Sequence, residues 1–104
     1  MTCEEYKSSI PDHATEAIEE YYDDGTKKSA YYFVDGEKVG FRWWDFDGQL
    51  GNEYGIQNGV KHGVEYDFYD DEHLAALEPN HEGKYHGTAK QWSYEGELLI
   101  TYNM

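Results

Sequence analysis

Apolar and polar positions in this chain alternate over short distances, and glycine interrupts the alternation at regular places. Successive side chains of a strand point to opposite faces. From Gly63, Val64, Tyr66 and Phe68 therefore share one face, and Glu65, Asp67 and Tyr69 the other. From Gly87, Thr88, Lys90, Trp92 and Tyr94 share a face, with Ala89, Gln91 and Ser93 opposite. After Gly40 the rule breaks: Phe41 pairs with Trp43 and then Trp44 with Phe46, which predicts a bulge or twist between the two tryptophans. One face of the expected sheet is aromatic and the other acidic.

The pairs Asp35-Gly36, Asp47-Gly48 and Asn58-Gly59 signal hairpins, because Asp, Asn and Gly tolerate positive φ. Turns are expected at Gly25, Gly36, Gly48, Gly59, Glu72, Gly83 and Gly96, and the segments between them, rich in Tyr, Trp, Phe, Ile and Val, as strands. Three stretches, Asp35 to Leu50, Asn58 to Leu74 and Glu82 to Leu98, align as repeats. The step is 23 residues from Gly36 to Gly59 and 24 from Gly59 to Gly83. Four residues before successive turn positions stand Tyr21, Trp44, Phe68 and Trp92, a column that extends the repeat back to near Ala17. The expected fold is all-β: an elongated, single-layer antiparallel β-meander of about eight short strands built from repeats of about 23 residues. Residues 1–16 read as a short N-terminal cap and 17–104 as the repeat domain. Pro11 opens either a short helical turn through Ala14 or an irregular cap. Pro79 cannot donate to a ladder, so irregularity is expected from Leu77 to His81.

The segments NGVKHGVEYDFY and EGKYHGTAKQW resemble membrane occupation and recognition nexus (MORN) repeats of the bacterial variant. The glycine pair, the basic residue or histidine before the second glycine and the following aromatic strand carry the resemblance, over about Ala17 to Leu98. Glu72 stands where the other units have a third glycine. The resemblance implies a twisted single-layer sheet used for binding or scaffolding, similar to the repeats of bacterial antitoxin and immunity proteins. It implies no shared catalytic residues.

Composition sharpens this picture. Asp and Glu number 22 against 8 Lys plus Arg, for a formal net charge of −14. That excess repels nucleic acid and anionic membranes and favours a basic protein. Phe, Trp and Tyr make up 17% of the chain, which argues against disorder and for a core built from rings. Met1 to Lys7 carries two glutamates and no apolar stretch, unlike a secretory signal, and no run is long enough to span a bilayer. The expected setting is soluble, reducing and cytoplasmic, with the lone Cys3 inert.

Asp45, Asp47, Glu65, Asp67, Asp70 and Asp71 form the densest acidic group of the repeats and are the expected partner-binding residues. Two readings of them stay open, a solvated face that keeps sheets apart and a surface matched to a basic partner. A carboxylate array also imitates a phosphate backbone, and a specific form of the second reading is a block on a nucleic-acid-binding protein such as a nuclease; a toxin as the basic partner is what the resemblance to immunity proteins implies. Tyr21, Trp44, Phe68 and Trp92 are expected as a structural aromatic spine, with a ligand-stacking groove as the alternative. His62, His81 and His86 lack a thiolate or carboxylate at ligand spacing, so no metal, cofactor or enzymatic chemistry is expected. The apolar run Leu98 to Tyr102 reads as an exposed edge strand through which two copies could pair. A scaffold or oligomerisation module is accordingly the rival to an inhibitory binding protein.

Overall fold

A computed structural model describes residues 6–70, 73–85 and 87–103, with Tyr85 described in its backbone alone. Cys3, Asp71, the expected turn at Glu72 and His86 lie outside the described residues. The strands are β1 (Thr15–Tyr21), β2 (Lys27–Val34), β3 (Glu37–Trp44), β4 (Leu50–Gln57), β5 (Val60–Asp70), β6 (His73–His81), β7 (Lys84–Tyr85), β8 (Thr88–Trp92) and β9 (Leu98–Asn103). All pair antiparallel in one sheet of order β1-β2-β3-β4-β5-β6-β8-β9, with β7 also on β6. The pieces β7 and β8 occupy one strand position, so the meander has eight positions, and no helix occurs among the described residues. Eight strands about 4.8 Å apart span a width close to the strand length. The result is a slab of 36 × 33 × 19 Å rather than a long ribbon.

Two kinds of turn alternate along the chain. At Asp35-Gly36, Asn58-Gly59 and Glu82-Gly83 both residues have positive φ, from 51° to 84°, as a two-residue turn matched to strand twist requires. At the opposite end the described turns are wider. Tyr22, Asp45 and Ser93 each receive a hydrogen bond from the N–H of Gly25, Gly48 and Gly96, at 2.9, 3.0 and 3.0 Å. The irregularity expected near Pro79 has a simple physical form. Pro79 pairs with Val64 of β5 on one side, and on the other it faces the break between β7 and β8. The missing donor falls where the ladder is already interrupted.

The described part of the N-terminal stretch covers the middle of the sheet. Residues 6–11 run across one face of the central strands as a strap, with a single turn at Pro11 where the Ala14 N–H donates to its carbonyl at 3.1 Å. A Cβ on Gly40 would collide with Ile10, and one on Gly63 would lie 2.6 Å from the Ser9 hydroxyl. In the first two repeats the second glycine is thus the floor of a trough that the strap fills, whereas Gly87 of the third faces Pro79. Its fit is polar as well as steric: the Ser9 hydroxyl accepts from the Val64 N–H at 3.0 Å, and the Tyr66 hydroxyl bonds the N–H and carbonyl of Lys7 at 3.0 and 2.9 Å.

Two apolar clusters lie on this covered face. Ile10, Ala30, Tyr32 and Trp44 form one, and Tyr66, Leu74 and Trp92 the other, with Tyr6 and Phe68 packed against the second. The expected spine is therefore split. Trp44 and Trp92 are buried in separate clusters, Phe68 is half-buried beside the second, and Tyr21 is 61% exposed. Tyr21 fails as a core residue because β1 is the edge strand and the register shifts between Ile18 and Tyr21.

Candidate protein-binding surface

The division into one aromatic and one acidic face does not hold. The face opposite the strap carries its own ring ladder, Tyr31 to Phe41 to Tyr54, with centroids 5.1 Å apart at each step. Lys38 Nζ lies 3.9 Å over Tyr31 and Lys61 Nζ 4.7 Å over Tyr54. Trp43 also faces this side, laid over Gly51, and the pairing shifts between Trp43 and Trp44 where a bulge was expected.

Glu65 and Asp67 share this open face, but neither is a free surface charge. Glu65 is 8% exposed, ion-paired to Lys61 Nζ at 2.9 Å, and accepts from Asn52 Nδ2 at 3.0 Å. Asn52 Nδ2 also donates to Asp67 at 2.8 Å. Burial raises the Asp67 carboxyl above the ordinary carboxylate range; the Asn52 hydrogen bond opposes this and the Glu65 charge adds to it. Alternation placed these two carboxylates correctly and gave no sign that Lys61, Asn52 and neighbouring rings would enclose them.

The sign of the Asp67 shift makes a pH prediction. A carboxyl whose folded pKa lies above its unfolded value of about 4 binds its proton more tightly when folded, so its ionisation costs stability as pH rises through that window. Asp67→Asn is therefore expected to raise the melting temperature at pH 7, with the gain shrinking as pH falls through the titration of Asp67. A lower melting temperature for the variant at pH 7 would refute this.

Beneath the strap sits a group that pattern reading missed. Glu53 is fully buried, and its Oε1 accepts from Arg42 Nε at 2.8 Å and from the Tyr6 hydroxyl at 2.7 Å. Its Oε2 has no hydrogen-bond partner among the described residues. Burial, with the Glu53 hydrogen bond and charge, pushes the Tyr6 hydroxyl up to about 12. Burial alone would lower Arg42, but the hydrogen bonds to Glu53 and Tyr32 outweigh it and hold the guanidinium charged. The available signal was that Arg42 is the sole arginine of the chain. These groups are structural in placement, locking strap to sheet.

The exposed carboxylates gather elsewhere. In an antiparallel meander alternate connections lie at the same end of the sheet, so the described turns after β1, β3 and β8 form one rim with Asp70 and His73 at the adjoining ends of β5 and β6. Asp23, Asp24, Asp47, Glu95 and Glu97 are exposed on it, and Asp45 and Asp70 are half-buried there. Asp45 serves its own turn, accepting from the N–H groups of Asp47 and Gln49 at 2.9 and 3.0 Å. Asp70 meets His73 Nδ1 and the Tyr94 hydroxyl, each at 2.7 Å.

Rings stand between these acids. Phe46 is 67% exposed, and Tyr21, Tyr69 and Tyr94 are about half exposed or more. They are held in place by a repeated device. The Tyr22 hydroxyl donates to the Trp44 carbonyl and the Tyr69 hydroxyl to the Trp92 carbonyl, both at 2.8 Å, while Tyr22 meets Phe46 and Tyr69 meets Tyr94 edge to face. Lys27 and Lys28, at the start of β2, have Nζ over the Trp44 and Tyr22 rings at 4.2 and 5.6 Å. Of the expected partner-binding residues, the rim thus unites Asp45, Asp47 and Asp70, while Glu65 and Asp67 lie on the open face.

Among the described residues no group of three or more His, Cys, Asp or Glu could hold a metal ion, and no helix is long and apolar enough to cross a membrane. Comparison of the chain with family models, curated proteins and solved structures finds no match, so its function is read from its own residues.

Proposed function

We propose that this chain is an acidic, MORN-like protein-binding module whose turn rim engages a basic protein. The carrying observation is that the described wide turns after β1, β3 and β8, with the neighbouring end of β5, bring five exposed carboxylates and four exposed rings to one end of the sheet. Aromatic side chains supply large contact area at interfaces, and carboxylates beside them match Lys and Arg and speed association. Rings alone would suit many partners; rings among acids select a cationic one, including by cation–π contact. The specific form of the proposal is an immunity protein or antitoxin that covers the active surface of a basic toxin or nucleic-acid-acting protein. It inhibits by covering and by charge, with no catalytic step.

The test begins with capture of the partner from the native host and continues with binding kinetics. Charge reversal of Asp23, Asp47 and Glu95 to lysine is expected to slow association at least tenfold and flatten its salt dependence, because steering fades as salt screens over about 8 Å. Melting should be unchanged, since exposed carboxylates contribute little to stability. Phe46→Ala is expected to speed dissociation about tenfold or more, as for a ring at an interface centre. An acidic or neutral partner, or a triple reversal that binds normally, overturns the proposal.

A further inference from the structure

The two edges of the sheet are chemically opposite. β1 carries Glu16, Glu19 and Glu20 along seven residues, which discourages pairing by charge. β9 carries no charge at all in its six residues, Leu98 to Asn103, within a chain of net charge −14. Leu98, Leu99 and Ile100 are each half or more exposed, so the strand presents unpaired backbone and a continuous apolar run together. None of the usual protections is present on it: no proline, no lysine, no inward charge.

We infer that β9 is a self-association edge, pairing antiparallel with β9 of a second copy about a two-fold axis normal to the sheet. The alternatives are less favourable on charge. Two β1 edges would set like charges opposite one another. A β9-to-β1 contact would bring glutamates against Leu98, Leu99 and Ile100, removing carboxylates from water without a partner. Pairing of β9 with itself desolvates no charge on either strand and closes after two copies. The contact extends the sheet from eight to sixteen strand positions and leaves the two acidic rims at opposite ends. Three apolar side chains per copy make a small interface, below the roughly 1,200 Å² of stable complexes, so the dimer is a concentration-dependent one.

Net charge sets the salt dependence with a definite sign. Two copies of charge −14 repel, and salt screens that repulsion while leaving apolar contact and backbone hydrogen bonds intact. Dimerisation should strengthen with salt, opposite to partner binding at the rim, and the two surfaces are thereby distinguishable. Sedimentation velocity on the full chain from about 10 μM to about 1 mM spans the weak range of affinities. The expected result is a monomer–dimer equilibrium that shifts at least threefold toward dimer when salt rises from about 0.05 M to about 0.5 M. Leu99→Lys should abolish the dimer without lowering the melting temperature, because the side chain is exposed, and Glu19→Lys on β1 should leave it intact. Three results overturn the inference: a monomer at every concentration in high salt, a dimer indifferent to Leu99→Lys, or one lost with Glu19→Lys. Hydrogen exchange adds an independent reading, since the outward amides of β9 should gain protection with concentration in the parent chain and not in Leu99→Lys.

Discussion

Arg42→Leu is expected to cost about 3–5 kcal/mol, because it leaves the Glu53 carboxylate buried without its cation. The wild-type pair joins a fully buried Oε1 to the guanidinium at 2.8 Å, and the Tyr6 hydroxyl shares the same oxygen. Desolvation of a lone carboxylate is the dominant loss; the Coulomb attraction of the pair is largely offset by the desolvation already incurred in burying it. The double variant Arg42→Leu, Glu53→Leu should therefore recover more than half of what the single change loses, since no uncompensated charge remains. Denaturant midpoints for the two variants check this. If the double variant is as unstable as the single one, the ion pair is not what the Arg42 change destroys. The strap is the first element expected to detach in Arg42→Leu, because Tyr6 and the Ser8 hydroxyl both lie against this group.

Trp44→Ala and Trp92→Ala should each destabilise by about 3–5 kcal/mol, the usual loss for a large buried aromatic. Each ring anchors its own cluster: Trp44 with Ile10, Ala30 and Tyr32, Trp92 with Tyr66 and Leu74. Each loss is a large share of the 5–15 kcal/mol that typically holds a domain folded. Tyr21→Ala provides the contrast. It belongs to the same repeat column but is exposed, so its effect should stay within about 0.5 kcal/mol. Thermal melts of the three variants test both statements at once. Near-parental melting of the tryptophan variants would mean that the clusters are not the core.

The repeat made the sheet legible before any coordinates. A period near 23 residues with Asp-Gly and Asn-Gly turns leaves room for two strands per unit, and the observed turns at Gly25, Gly36, Gly48, Gly59, Gly83 and Gly96 all have positive φ as the pattern demanded. Alternation also put Val64, Tyr66 and Phe68 together on the covered face, and the pairing of Trp43 and Trp44 shifts where alternation failed. Those properties are local: turn chemistry and side-chain period depend on residues a few positions apart.

The site was less legible, for a physical reason. Alternation assigns a residue to a face but says nothing about what crosses that face. The strap meets Gly40, Glu53, Gly63 and Tyr66 through contacts 30 to 59 residues long in sequence, and no local pattern marks them. Likewise Lys61, Asn52 and the Tyr54 ring converge on Glu65 and Asp67 from two strands, turning an apparent acidic surface into a half-buried network. The sequence by itself determined the strands, their turns and their order of pairing. Tertiary structure alone decided which carboxylates are exposed, because it stacks alternate turns of the meander at one end and lays the strap across the middle.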